Sequence, residues 1–170
     1  SEARARGVPV AAHLGLTTAT QAADAGITSI EHLSGIPDAA SDDPRRMLAA
    51  HQEFLGGWTT FELEWQWIPF ARLESVAKQL IAHGIVIVPT LALHEAFARM
   101  ADRDLMKAPA LSEVPVGILK DAWNPADIMG RAKWTATTLA AFKQTLPILQ
   151  RFVGAYAHLG GRIAAGTDTP

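Results

Sequence analysis

Three short apolar runs, each closed by a polar side chain, set the fold class that this sequence can adopt. The runs cover residues 8–13, 27–32 and 162–168, and they close with His13, His32 and Asp168. Sequence of helical character separates one run from the next. Because parallel strands need a long crossover between them, this alternation predicts an α/β fold with a parallel sheet.

A fourth strand is predicted at residues 85–91, where apolar residues occupy both faces, as in strands covered on both sides. Helices are predicted at residues 17–26, 45–55, 70–83, 92–105 and 126–159. We expect Pro147 to kink or restart the last of these helices. Residues 106–125, which include three prolines and a glycine, are expected to form a looser connection.

The composition excludes several classes of partner. Fifteen basic residues against seventeen acidic ones give a net charge of −2, which predicts no nucleic acid or other polyanionic partner. Without cysteine, the chain has neither a disulfide framework nor a thiolate nucleophile or ligand. Its longest apolar stretch, around residues 85–93, is far shorter than the about 20 residues that a membrane helix needs. We therefore expect a small-molecule substrate and no membrane partner, while the oligomeric state and the compartment stay open.

Both ends of the chain are typical of positions inside a larger protein. Residues 1–7 are polar and combine two arginines with a following glycine, a pattern typical of the end of a helix. The last residues, 166–170, read Gly-Thr-Asp-Thr-Pro and close a predicted buried strand. Since natural termini usually lie in dispensable surface segments, we interpret the sequence as a fragment of a longer chain.

Residues 56–70 are unusually rich in aromatic side chains and allow two interpretations. One is hydrophobic packing beneath a long loop, and the other is an aromatic wall or lid over a substrate pocket. Glu62 and Glu64 in this segment are compatible with contact to a substrate amine and equally with a solvated loop.

The polar residues at the ends of the predicted strands form a candidate site. His13 and His32 lie one strand–helix unit apart, which places them on neighbouring strand ends. In barrels built from such units, residues at the carboxyl ends of the strands face the active site. Two imidazoles and the carboxylate of Asp168 are a partial set of zinc ligands, so the sequence predicts a metal site.

Four segments resemble the second half of the amidohydrolase superfamily, and most of all its branch of imidazolonepropionases and Xaa-Pro dipeptidases. They are residues 9–13 (Pro-Val-Ala-Ala-His), 22–32 (from Ala-Ala-Asp-Ala-Gly to Ile-Glu-His), 88–90 (Val-Pro-Thr) and 165–168 (Ala-Gly-Thr-Asp). Their order along the chain makes the resemblance specific, whereas each segment alone is a weak signal.

The resemblance implies a partial TIM (β/α)8 barrel in which residues 1–170 form the C-terminal half, strands five to eight. It implies that His13 and His32 bind one or two divalent ions, usually zinc, and that Asp168 binds metal and moves the proton. An ion held in this way lowers the pKa of its water to about 7, which supplies hydroxide at neutral pH. The family's remaining ligands, a His-x-His pair and a lysine or glutamate, belong to the half of the barrel that this chain lacks.

The other histidines are not predicted to bind the metal. His51, His83 and His158 are predicted to be surface or helix-capping residues. His94 follows the predicted strand at residues 85–91, and a position at the start of a helix is favoured over a position in the pocket. Glu31 should point away from His32 because neighbouring residues of a strand face opposite sides.

The sequence thus predicts a metal-dependent hydrolase that cleaves a C–N bond in an amide, a cyclic amide or a dipeptide-like substrate. The alternative is a fragment that binds a small ligand or partner without turnover. A phosphate-binding α/β enzyme is disfavoured because no glycine-rich loop follows a strand.

Overall fold

The computed structural model describes residues 2–102, 104, 107, 109–121 and 124–168 of this 170-residue chain. Thr169 and Pro170 of the terminal motif lie outside the described residues, as do parts of the predicted connection at residues 106–125. Within the described ranges, none of the helices combines the length and the apolar character required to cross a membrane.

The described elements alternate between strand and helix. The strands are β1 (Ala11–Ala12), β2 (Ser29–Glu31), β3 (Val86–Val88) and β4 (Arg162–Ile163). The helices before β3 are α1 (Glu2–Ala5), α2 (Ala19–Ala25), α3 (Ile36–Ala40), α4 (Pro44–Ala50), α5 (Phe54–Glu64) and α6 (Phe70–Ala82). After β3 come α7 (Leu91–Ala98), a 3₁₀ turn (Pro109–Glu113), α8 (Val116–Asp121), α9 (Pro125–Ala132) and α10 (Ala136–His158).

The four strands form one parallel sheet in the order β1-β2-β3-β4. Each strand lies inside one of the four apolar segments, although each is only two or three residues long. The register pairs Ile30 of β2 with Ile87 of β3, and both side chains are fully buried. Since all strands run the same way, their carboxyl ends meet at one edge of the sheet.

The expectation of a partial (β/α)8 barrel is wrong. The described residues form a small open sheet in which β1 and β4 each pair with one neighbour only, and 60% of these residues are helical. Closing a barrel requires every strand to pair on both sides with a consistent tilt and stagger. Strands of two or three residues give too short a ladder for such closure, and both residues of β4 are exposed.

The main core lies between the sheet and the helices that cross over it. Helix α6 places Leu73, Val76, Ala77 and Leu80 on one buried face, with the helical spacing visible in the sequence. Tyr156 of α10 is fully buried, and its hydroxyl donates a hydrogen bond to the carbonyl of Ile85 at 2.9 Å. The long last helix is therefore fixed against the start of β3.

The aromatic segment at residues 56–70 differs most from expectation, because most of it is helix α5 rather than a long loop. Trp58, Phe61 and Trp65 recur at helical spacing and are all buried, while Trp67 is exposed. The carboxylate of Glu53 caps the helix by accepting a hydrogen bond from the backbone N–H of Gly56. Helical periodicity among the aromatic residues is the sequence signal from which this element could have been predicted.

The predicted helix at residues 126–159 is instead two helices, α9 and α10. They separate at Lys133, which adopts a left-handed conformation with φ of 55°. A capping box formed by Thr135 and Thr138 starts the second helix. Pro147 lies inside α10 and does not restart it.

Candidate functional site

His13 and His32 follow β1 and β2 directly and lie side by side at the carboxyl edge of the sheet. Their ring centroids are 5.1 Å apart and the ring planes are inclined by 53°. The backbone N–H of Leu14 donates to Oγ of Ser34 at 2.8 Å, and this hydroxyl donates to the carbonyl of Glu31. This bridge fastens the segment after β1 to the segment after β2 and keeps the two imidazoles adjacent.

Asp168 approaches the same edge from the segment that follows β4. Its Oδ1 atom lies 3.7 Å from Nε2 of His32. A Cβ atom at position 166 would lie 2.6 Å from Cγ1 of Val88, so only a glycine lets this segment run so close to β3. The three predicted site residues are therefore brought to one edge of the sheet.

The other nitrogen of His32 is held by Thr90, the second residue after β3. Nδ1 of His32 and Oγ1 of Thr90 are 2.8 Å apart, and both residues are almost fully buried. With Nδ1 engaged in this way, Nε2 is the nitrogen available on the side of Asp168. Thr90 was not predicted from the sequence to contact a ligand histidine.

Left-handed backbone conformations concentrate at this edge. Among the described residues other than glycine, positive φ values occur at His32 (57°), Leu33 (58°), Thr90 (43°), Lys133 (55°) and Asp168 (59°). Such conformations cost energy, above all for a β-branched residue such as threonine, and they cluster at functional sites. Here they turn the chain sharply at three strand ends, so that the side chains of these residues meet.

Both imidazoles favour the neutral state. Burial lowers the pKa of His32 below 6.5, and nearby His94 lowers it further, against the opposing effect of Asp168. The surrounding protein also lowers the pKa of His13, with His32 and His51 as further causes. A neutral imidazole has the free lone pair that metal binding requires.

A pocket of about 190 Å³ opens beside the two imidazoles. Its lining includes three histidines and three aromatic residues: His13, His32, His51, Phe54, Trp58 and Phe61. The Trp58 ring lies 5.8 Å from that of His13 and 6.0 Å from that of His32, centroid to centroid. The interpretation of the aromatic segment as a pocket wall agrees with this placement of Trp58 and Phe61, which also pack in the core.

His51 is the C-cap residue of α4, which agrees with the capping alternative of the prediction, but it is not a surface residue. Its side chain is 10% exposed, and Nε2 lies 3.1 Å from Oδ1 of the fully buried Asp38. By contrast, His83 is 42% exposed and pairs with the exposed Asp24 at 3.3 Å, as expected for a surface residue. The pairing of His51 with Asp38 spans thirteen residues and leaves no local sequence signal.

His94 and Glu62 form a second buried imidazole–carboxylate pair. His94 lies in the first turn of α7, as predicted, but it is only 2% exposed. Its Nδ1 is 2.5 Å from Oε1 of Glu62, and its ring stacks on Trp58 and Phe61. Nε2 of His94 has no hydrogen-bond partner among the described residues.

The solvated-loop interpretation of the two glutamates is wrong, because both lie in α5 and both side chains are buried. Glu64 accepts a hydrogen bond from Nη2 of Arg46 at 2.5 Å and another from Oγ of Ser41 at 2.7 Å. Together with Glu62 it ties α5 to its neighbours, so neither carboxylate lies in a solvated loop.

The fit of a metal to the predicted ligands can be judged from these distances. Two ligands of one tetrahedral zinc, each about 2.1 Å from the ion, are separated by about 3.4 Å. The 3.7 Å between Nε2 of His32 and Oδ1 of Asp168 is close to that spacing. However, the described part of the chain contains no group of three or more histidine or acidic side chains arranged to hold an ion. His32 and Asp168 therefore fit a metal as a pair, with His13 adjacent.

Comparisons with known proteins found no matching protein family, no matching curated protein and no matching solved structure.

Proposed function

We propose that this protein is a metal-dependent hydrolase that cleaves a C–N bond in an amide, a cyclic amide or a dipeptide-like substrate. The observation that carries the proposal is the position of His32, with Thr90 on one imidazole nitrogen and Asp168 near the other. His13, His32 and Asp168 would hold a divalent ion, and zinc suits two imidazoles and a carboxylate.

Thr90 fixes the tautomer that such a site needs. When Nδ1 of His32 carries the proton and donates it to Oγ1 of Thr90, the Nε2 lone pair is directed to the ligand side. Metal-binding histidines nearly always have an outer partner of this kind. Burial of His32 supports the assignment because it keeps the imidazole neutral near pH 7.

Asp168 would act as the acid–base group of the reaction. A divalent ion, when bound, supplies the positive charge that lowers the pKa of water to about 7. The Asp168 side chain is 55% exposed, so its carboxylate can take a proton from the attacking water and return protons to solvent. Trp58 and Phe61 supply apolar surface to the lining of the pocket.

The sequence resemblance supports the same assignment independently of the overall fold. Residues 22–32 and 165–168 resemble amidohydrolase segments that carry a ligand histidine and the strand-end aspartate. His13, His32 and Asp168 also match the number of protein ligands that catalytic zinc sites use, which is three.

Binding of a small ligand without turnover is the second candidate. It is favoured by the absence, among the described residues, of a ready-made group of three metal-binding side chains. The aromatic and imidazole lining of the pocket suits a planar apolar ligand without any metal.

Zinc titration followed by a hydrolysis screen separates the two candidates. We expect calorimetry to show zinc binding to the wild-type chain, and His32→Asn to weaken it by more than the about 10–100-fold typical of an outer-partner change. Asparagine is chosen because it tolerates the left-handed conformation of His32. His83→Gln, at the exposed pair with Asp24, is the control and should bind zinc like the wild type.

The hydrolysis screen uses acetanilides, cyclic amides and dipeptides with the zinc-loaded and the metal-free chain. Hydrolysis only with zinc supports the proposal. Equal zinc affinity in the wild type and His32→Asn, or no zinc-dependent hydrolysis of any of these compounds, would contradict it and favour ligand binding.

A further inference from the structure

Asp38 and His51 form a buried pair beside the candidate metal site. Oδ1 of Asp38 lies 3.1 Å from Nε2 of His51, and Asp38 is fully buried. Its second oxygen, Oδ2, has no hydrogen-bond partner among the described residues. Burying a carboxylate with so few partners costs free energy.

The His51 side chain reaches the same pocket as His13 and His32. It lines the cavity of about 190 Å³, and it is close enough to His13 to influence the charge state of that imidazole. The α-carbon of Gly15, two residues after His13, also packs next to it, since a Cβ at position 15 would lie 3.9 Å from Cβ of His51. A ligand held at His13 and His32 would therefore lie within the pocket that His51 lines.

The orientation of the His51 ring leaves Nδ1 for a ligand. Nε2 is engaged by Asp38, so Nδ1 is the remaining nitrogen. Beside it lies Gly57, where a Cβ atom would come within 2.5 Å of Nδ1. Any larger residue at position 57 would fill the space next to this nitrogen.

We propose that His51, oriented by Asp38, is a further catalytic residue that donates a proton to the leaving nitrogen; this inference rests on the proposed C–N hydrolysis. A carboxylate bound to one imidazole nitrogen fixes the orientation and the tautomer of the ring. The site would then use two acid–base groups: Asp168, which lies near Nε2 of His32, would serve the attacking water, and His51, which lines the pocket, would serve the leaving group.

The proposed hydrolysis of the C–N bond consumes one water molecule. The water oxygen bonds to the carbonyl carbon and loses one proton to Asp168. The C–N bond then breaks with its electron pair on nitrogen, which takes a proton from Nδ1 of His51. Asp168 returns its proton to solvent and His51 recovers one from solvent, which leaves the carboxylic acid and the amine.

The buried pair of His94 and Glu62 is a weaker candidate for this role. Its geometry resembles that of His51 and Asp38, but His94 does not line the pocket and is only 2% exposed. Trp58 and Phe61 stack against its ring. A substrate in the pocket would meet these aromatic rings rather than His94.

The test compares two acetyl compounds that differ only in the leaving group. With zinc-loaded protein, 4-nitrophenyl acetate releases a phenolate that needs no proton, whereas 4-nitroacetanilide releases an amine that does. We expect His51→Gln to slow anilide hydrolysis by about 10²–10⁴-fold and to slow ester hydrolysis by a much smaller factor. Asp38→Asn, which keeps His51 in place, should show the same selectivity to a smaller extent.

A second readout needs no turnover. In the metal-free chain labelled with ¹⁵N-histidine, NMR at a pH where His51 is neutral should show the tautomer that remains after Nδ1 has given up its proton, with the proton on Nε2 towards Asp38. Asp38→Asn should shift that resonance. His83→Gln and Asp24→Asn are the matched controls, since they alter an exposed pair of the same chemistry. Neither control should change the ester-to-anilide ratio.

The outcomes distinguish this inference from the proposed function. Equal losses on ester and anilide in His51→Gln, or a proton on Nδ1 instead of Nε2, would overturn the role of His51 and leave zinc-dependent hydrolysis intact. Failure of the wild type to bind zinc or to hydrolyse either compound would overturn the proposed function, and this inference with it.

Discussion

Oγ1 of Thr90 lies 2.8 Å from Nδ1 of His32, across the junction between the second and third strands of the sheet. Both residues have left-handed backbone conformations, which turn their side chains towards each other at the carboxyl edge of the sheet. The contact joins residues 58 positions apart. Because both His32 and Thr90 have a strained backbone, the contact orients the His32 side chain at a cost in local stability.

Loss of the Thr90 hydroxyl should weaken zinc binding. Thr90→Val keeps the shape of the side chain but leaves Nδ1 of His32 without its acceptor, so the ring loses its fixed tautomer. We expect zinc affinity to fall about 10–100-fold, as for other outer partners of metal-binding histidines. Calorimetry measures the change. Thr90→Ser keeps the hydroxyl and should bind within a few-fold of the wild type; equal affinity of Thr90→Val and Thr90→Ser would contradict the assignment.

Asp168→Asn should abolish turnover and leave the fold intact. The amide has the volume of the carboxylate and tolerates the left-handed conformation of Asp168, but it cannot accept a proton from water. The rate of zinc-dependent hydrolysis should fall by at least about 10²-fold. Circular dichroism and thermal unfolding check the fold. Near-normal turnover in this variant with zinc bound would show that Asp168 has only a structural role.

The metal-free chain should lose stability as the pH falls below 6.5. Burial holds the pKa of His32 below its ordinary value of 6.5, so the unfolded chain binds this proton first as the solution is acidified. The contribution of neutral His32 to the free energy of unfolding is complete above pH 6.5. It is lost as the pH falls from 6.5 to the lower pKa of His32 in the folded chain. Urea unfolding at pH values from 8 to 5 measures it. The decline should be shallower in His32→Asn, and equal pH profiles in the two proteins would argue against a neutral buried His32.

The buried pair of Glu62 and His94 should be a stability determinant. Glu62→Ala leaves Nδ1 of His94 without its partner in a site that is only 2% exposed. We expect the free energy of unfolding to fall by about 3–5 kcal/mol, which is typical when one member of a buried pair is removed. Asp24→Ala, at an exposed pair, should change it by about 1 kcal/mol or less. Similar small losses in both variants would show that the buried pair contributes little.

Local patterns in the sequence predicted the parallel sheet and the meeting of His13 with His32. The two histidines are separated by one strand–helix unit, and that spacing alone places them on neighbouring strands. Closure of the sheet into part of a barrel was inferred from resemblance and is wrong, because closure depends on strand length and on pairing at the sheet edges. Neither property is encoded in the segments that carried the resemblance.

The remaining site residues depend on contacts between distant segments. Asp38 and His51 meet because α3 and α4 pack together, and Thr90 meets His32 through the pairing of β2 with β3. Helix α5 was not predicted, although Trp58, Phe61 and Trp65 recur at helical spacing, and the sequence left open whether the aromatic segment packs beneath a loop or forms a pocket wall. Tertiary packing thus determines which polar groups line the pocket.

Zinc-anomalous diffraction from crystals of the zinc-loaded chain tests directly whether His13, His32 and Asp168 hold one ion. We expect one strong anomalous peak between their side chains, about 2.0–2.2 Å from Nε2 of His32 and from a carboxylate oxygen of Asp168. A peak only at the exposed pair of His83 and Asp24, or no peak in zinc-loaded crystals, would contradict it.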